Sequence, residues 1–287
     1  MTSKPVQEPR IDLQLGASRV TLLGTAHVSR ASAEQVRALL AGGDYDAVAV
    51  ELCPSRYNAL LNPDELAKMD LFRVLRDGKA PMVVASLALG AYQQRLADQF
   101  GIEPGAEQRQ AIRSAQESEL PILLIDREIG VTLKRVSRNL PWWQRFGLFA
   151  GLVASLMTSE DVDEAEIERL KEGDVLESTF AQFAERERHL YEPLIEERDQ
   201  YMAARLREEI ERSGHANVLA VVGAGHLAGI ARALEQQSAP PAQLVAELDR
   251  IPSPSRWPKL IPWLIVALVA RFTDWIRLNE PFTNLTS

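Results

Sequence analysis

The sequence predicts an α/β fold: a central mixed sheet flanked by helices, with a charged helical insertion. Three observations carry that prediction. Apolar, β-branched runs recur along the chain, each followed by a stretch of helical pattern. The first two runs face each other across a short glycine-containing turn, which makes the sheet mixed rather than purely parallel. The middle of the chain is dense in charge and poor in breakers, the mark of long helices.

The elements follow in order. Residues 11–15 pair with 19–23 across Gly16, Ala17 and Ser18 as a hairpin. A helix follows near 31–40, then a strand at 47–52. Asn62 as cap and Pro63 at the first position mark a helix over 63–75. A strand at 122–125 precedes a helix at 131–139. After the insertion, a strand at 218–222 precedes a helix at 228–236, and 243–248 reads as a last strand. The insertion, about 140–213, holds two or three helices over 161–213. Its junction is at Glu172, Gly173 and Asp174, and Pro193 marks a kink or restart. Its charge is most simply a solvated face. Residues 142–157 are apolar on too many sides for an exposed helix; core and homodimer contact are weighed above membrane contact.

Composition narrows the function classes. A net charge of -8 argues against nucleic acid as a partner, since phosphates call for a basic face. The single cysteine, Cys53, excludes an intrachain disulfide framework. It reads as a small buried hydrophobe rather than a nucleophile. The N-terminus lacks the apolar core of a signal peptide, which points to the cytoplasm. An α/β domain is expected over 1–250, with a separate apolar segment at 251–287. The apolar run 260–270 is shorter than the ~20 residues that span a bilayer. Two readings stand for it: a packed terminal helix, or a membrane-proximal segment flanked by Trp257, Trp263 and Trp275.

One internal echo concentrates the chemistry. The first strand ends VTLLGTAHV and the late strand ends LAVVGAGHL; both place a histidine three residues after a glycine. The histidines are His27 and His226. In open α/β sheets the carboxyl edge of the strands is where ligands bind. GAGHLA also fits the loose G-x-G-x-x-G/A dinucleotide pattern. However, Gly223 lies too near the chain's end for the rest of such a half, and GTAH has no second glycine. His189 and His215 read as surface residues.

Glu51 interrupts an apolar strand, and a buried carboxylate is costly unless paired or bound to a cation. It either caps a helix, pairs with Arg56, or joins His27 and His226 at one edge. Two imidazoles and a carboxylate suit a divalent transition metal with an open position. They suit a metal-free acid/base site equally. Asp126 and Arg127 end another strand, and Arg198 and Asp199 sit in a helix that i,i+4 pairing explains on its own.

GTAH, VELCPSR, DREIGVTLKR, ERDQYMA and VVGAGHLAGI, in that order, resemble the TraB/Tiki family of pheromone-shutdown and related proteins, within an erythromycin-esterase-like superfamily. The resemblance covers about 20–248. It implies a mixed α/β catalytic domain over 1–250, with His27, His226, Glu51 and Arg198 as site residues. For the Tiki branch it implies a metal-dependent protease using manganese- or cobalt-type ions. Bacterial members are tied to loss of peptide-pheromone activity and usually continue into C-terminal transmembrane helices. Ending at LNEPFTNLTS, this chain is expected to be a shortened portion of that architecture.

The expected function is therefore a metal-dependent hydrolase, a peptidase acting on a peptide or pheromone-like substrate. His27, His226 and Glu51 would hold manganese, cobalt or zinc, and Arg198 would stabilise an oxyanion or orient Glu51. Arg56, Asp126, Arg127 and Asp199 would support them. The alternatives are a metal-free His/Glu hydrolase and a non-catalytic protein that sequesters a peptide or small molecule. Location in the cytoplasm or on the cytoplasmic face of a membrane, association through the C-terminus, and a homodimer complete the expectations.

Overall fold

The computed structural model describes residues 8–25, 30–62, 105–141, 144, 147 and 186–252. His27, the helix expected at 63–75, nearly all of the apolar stretch 142–157, the junction at Gly173 and the C-terminal apolar run lie outside them. The chain partitions after Ile251, and every element below belongs to the first part.

A five-stranded sheet, ordered β1-β2-β5-β3-β4, forms the centre. Strand β1 (Arg10–Leu15) pairs antiparallel with β2 (Ser18–Thr25) through a two-residue turn. Gly16 supplies the positive φ, 60°, that such a tight hairpin requires. β1 alternates exposed and half-buried residues, as an edge strand with one wet face should. Strands β3 (Ala47–Val50), β4 (Ile122–Leu124) and β5 (Asn217–Gly223) are parallel to β2. β2, β3 and β5 are almost wholly buried, and that is why their sequences read as unbroken apolar runs.

Alternate residues of these strands feed two cores. On one face Leu23, Val48, Val50, Leu219 and Val221 pack beneath α1 (Arg30–Ala41) and α3 (Ala106–Glu117); α2 (Pro54–Leu61) follows β3. On the other, Val20, Leu22, Ala49, Ala220 and Val222 pack beneath α6 (Glu197–Ser213) and α7 (Ala224–Gln236). A fully buried Leu such as Leu22 or Leu206 contributes about 1.5–3 kcal/mol, enough in aggregate to hold buried charge at the rim. Helix α4 (Ile129–Asn139) follows β4, and α5 (Arg188–Tyr191) runs through a π turn, Glu192–Glu196, straight into α6. Of the kink or restart expected at Pro193, the restart is absent: the helix runs on through this wider turn, closed by the Glu197 amide donating to the Glu192 carbonyl.

Two expectations need correction. Residues 243–248 are not a strand but part of α8 (Pro241–Asp249). Pro241 opens that helix, and Val245 and Leu248 bury against Tyr201 and Ala204 of α6. A short apolar run fits either period, and here the helical one wins. Asn62 is the C-cap of α2, its amide bonded to the Asn58 carbonyl, and the helix expected after it lies outside the described residues. Helix α7 begins at Ala224, four residues earlier than its glycines suggested, because the strand passes into it without an intervening loop.

Candidate functional site

β2 and β5 are neighbours in parallel register, Thr25 opposite Gly223, so both Gly-x-x-His segments leave the same carboxyl edge. The two glycines do different work from that expected of turn residues. Gly24 lies within β2, and a Cβ there would stand 3.2 Å from the Cα of Ala224 and 3.1 Å from Leu227. Its bareness lets the first turn of α7 press against the sheet. Gly223 is the N-cap of α7 with an ordinary φ of −62°. The His27 copy lies outside the described residues.

Glu51 follows β3 directly and is 4% exposed. Its Oε2 accepts from the Gly223 amide at 2.7 Å, so the carboxylate caps α7 where the helix dipole favours negative charge. Its Oε1 accepts from Arg198 Nη2 at 2.8 Å. Of the alternatives for Glu51, helix capping holds; pairing with Arg56 does not. Arg56 is exposed and lies 3.6 Å from Asp126 instead. The amide at the head of α7 is therefore already taken by a side-chain anion. This counts against a phosphate cradle.

Arg198 is the hub. It sits in the first turn of α6, immediately past the π turn, with only 15% of its side chain exposed. Nε and Nη2 donate to Asp126 at 3.0 and 2.9 Å, in the bidentate fork that arginine makes with carboxylates. Nη1 donates to the Leu194 carbonyl at 3.3 Å and to His226 Nε2 at 3.1 Å. With the bond to Glu51, all five N–H donors are used. Burial would lower the guanidinium pKa, but Asp126 and Glu51 overcome it and hold the group charged.

His226 occupies the first turn of α7 and is 7% exposed. An arginine N–H only donates, so Nε2 must accept and the imidazole proton lies on Nδ1. Nδ1 then donates to Asp199 Oδ1 at 2.5 Å. Burial pushes the Asp199 carboxyl up from its ordinary range, against the pull of His226 and Arg198. The result is an oriented imidazole whose Nε2 faces Glu51 Oε1 at 3.5 Å.

Arg127 does not join this group. It is fully buried and donates to Thr132 Oγ1 (3.0 Å), Glu197 (2.9 Å), the Leu248 carbonyl (3.1 Å) and the Pro193 carbonyl (2.8 Å). It ties the π turn to the end of α8. Burial lowers its pKa, with Glu197 opposing. Burial alone would raise the Glu197 carboxyl, yet Arg135 and Arg127 hold it below its ordinary range. Cys53 is buried as expected, His189 exposed and His215 half-buried.

Sequence reasoning missed Glu197 and Glu128. Both look like members of solvated charge runs. Glu128 accepts from the Ser55 amide and hydroxyl at 3.2 and 2.6 Å and so anchors the start of α2. A signal did exist for Asp199: it shares the helical stripe of Met202, Ala203 and Leu206, which are fully buried.

Among the described residues no group of three or more His, Cys, Asp and Glu side chains is arranged to hold a metal. The separation of His226 Nε2 and Glu51 Oε1 suits one, provided that Arg198, which donates to both atoms, gives way. Two ligands bonded at about 2.1 Å with a tetrahedral angle stand about 3.4 Å apart, against the 3.5 Å found. The carboxylate behind Nδ1 is the usual support of a metal-ligating imidazole. A cavity of about 550 Å³ lies along β4 between α6 and α8; its lining includes Asp126 but neither Glu51 nor His226. No helix among the described residues is long and apolar enough to cross a membrane.

Comparison with known proteins agrees with the ordered motifs. The family model for the TraB/PrgY/gumN family matches residues 12–243. An uncharacterised protein of Methanocaldococcus jannaschii is 34% identical over 217 residues, covering 76% of this chain and 53% of its own length. A TraB domain-containing protein of Homo sapiens is 31% identical over 249 residues, covering 77% of the chain and 65% of its own length. One of Mus musculus is 30% identical over 284 residues, covering 85% and 72%. The chain thus spans about half the archaeal relative and about two thirds of the human one. With the family model covering most of the sequence and all five motifs in order, the chain belongs to the TraB/PrgY/gumN family.

Proposed function

We propose that the chain is a metal-dependent hydrolase, a peptidase, whose chemistry centres on His226 and Glu51. The observation that carries this reading is the donor pair itself: Nε2 and Oε1 stand 3.5 Å apart, and Asp199 fixes the imidazole tautomer from behind. His226 and Glu51 would hold the ion, with His27 as the further ligand taken from the sequence motif. A bound manganese, cobalt or zinc ion supplies a water of lowered pKa and polarises a scissile carbonyl.

The remaining roles belong to the chain's own groups. Asp199 accepts the Nδ1–H hydrogen bond and keeps the lone pair on Nε2, where Arg198 donates to it. Asp126 holds Arg198 by two bonds, so its charge is fixed in place before substrate arrives. A fixed guanidinium stabilises, by its charge, an oxyanion developing beside it. A peptide substrate follows from the resemblance to pheromone-shutdown proteins, not from the site geometry.

A second reading draws on one specific observation. Arg198 already contacts both donors, at 3.1 and 2.8 Å, and is itself a cation. That favours a metal-free hydrolase in which the Asp199–His226 pair is the general base and the charge of Arg198 stabilises the oxyanion. Metal content of protein purified without chelator, alongside a broad peptide digest with and without EDTA, separates the two. Bound transition metal and activity lost in EDTA but restored by manganese support the first. Activity unaffected by EDTA excludes it, and absence of hydrolysis under every condition overturns both.

A further inference from the structure

The residue one helical turn beyond His226 is a glycine in the body of α7, with Ala228, Ile230 and Ala231 around it. Glycine is a poor choice there. It costs backbone entropy in a helix interior, and alanine favours the helix. No unusual backbone angle demands it, since Gly229 is not among the positive-φ glycines. What it does meet is Asp199. A Cβ on Gly229 would lie 1.8 Å from Asp199 Oδ2, 2.6 Å from its Cγ and 3.2 Å from its Cβ. The first two distances are far inside contact.

Asp199 has no means of yielding cheaply. Its side chain is short, 5% exposed, and tied to His226 Nδ1 at 2.5 Å. Turning χ1 to escape a Cβ would carry Oδ1 away from the imidazole. The carboxylate would then be buried without that bond, an arrangement its burial already penalises. Loss of this acceptor also removes one of the two reasons for the proton to sit on Nδ1, leaving only the Arg198 donation to Nε2.

We propose that Gly229 is a positioning residue for His226: its missing side chain is the space in which the Asp199 carboxylate lies, and through Asp199 it decides which imidazole nitrogen faces the site. Helices α6 and α7 approach closely here because one of them lacks a Cβ. The consequence for turnover rests on the hydrolase reading. The packing does not, so the test reads the imidazole and the fold rather than activity.

The test uses the full chain with Gly229→Ala, Asp199→Ala and the double variant. Long-range ¹H–¹⁵N correlations of the His226 ring report the tautomer, and thermal melting reports stability. The unaltered protein should carry the proton on Nδ1. Gly229→Ala should move His226 to the Nε2–H form or a mixture and lower the melting temperature by at least about 2 °C, despite better helix propensity. With Asp199→Ala as background the same glycine change should raise the melting temperature, because the clash is gone and only the propensity gain remains. Should Gly229→Ala fail to fold while the double variant folds, the coupling is shown more strongly still. An unchanged tautomer in Gly229→Ala, an Nε2–H histidine in the unaltered protein, or equal destabilisation in both backgrounds would overturn the proposal. Those results do not depend on whether any peptide is cleaved.

Discussion

Two arginines, Arg127 and Arg198, each donate to a carbonyl of the π turn, and they are put to opposite uses. Arg127 spends its donors on two backbone carbonyls, a threonine hydroxyl and Glu197. Nothing it touches has a lone pair directed into a site. Arg198 gives one bond to a carbonyl and the rest to two carboxylates and an imidazole nitrogen. The same side chain is a fastener in one place and a fixed charge facing chemistry in the other. What separates them is the partner, not the charge.

That contrast breaks most readily at Arg127. Arg127→Met leaves the Pro193 and Leu248 carbonyls and Glu197 without their buried donor. Removing one member of a buried charged network costs about 3–5 kcal/mol. Chemical denaturation should show that loss, and any fall in activity should track the folded fraction. Arg198→Lys is next, and its expected effect is of a different kind. Lysine keeps the charge but not the fork, so it cannot serve Asp126, Glu51 and His226 together. Turnover should fall by roughly 10²-fold or more while most protein stays folded. Equal losses of stability and turnover in both variants would erase the distinction.

Acid sharpens the comparison with a smaller effect. Glu197 is held below its ordinary range in the folded protein by Arg135 and Arg127. A depressed carboxylate contributes stability that is present above its unfolded pKa, about 4.3, and is lost as pH falls through the folded value. The melting temperature should therefore drop below about pH 4. Glu197→Gln should start lower at neutral pH and show a shallower acid decline. A decline of unchanged steepness would place the acid sensitivity elsewhere.

The sheet was legible because its parallel strands are buried on both sides, so 47–50 and 218–222 read as continuous apolar runs. The hairpin was legible from Gly16. Residues 243–248 were not, because six residues fit a strand and a helix alike until Val245 and Leu248 meet α6. In the site, Glu51 stood out as a charge inside an apolar strand, and His226 through its echo at His27. The reach of Arg198 did not. In a helix so rich in charge, local pairs such as Arg205 with Glu208 and Glu209 look the same on paper as a guanidinium crossing to another element. Gly229 was invisible for a simpler reason: a sequence records side chains, and its contribution is the lack of one.

The π turn at Glu192–Glu196 has a bearing on how this site is to be probed and how it can drift. Such a turn amounts to one extra residue threaded into a helix, and one residue is about 100° of rotation. Deleting any single residue between Glu192 and Glu196 would let the segment close as ordinary α-helix and swing Arg198 and Asp199 a quarter-turn or more about the axis. Composition, charge and helix propensity would scarcely change. The facing of the site is therefore written partly in the count of residues, where substitution scanning is blind and single-residue deletion is not.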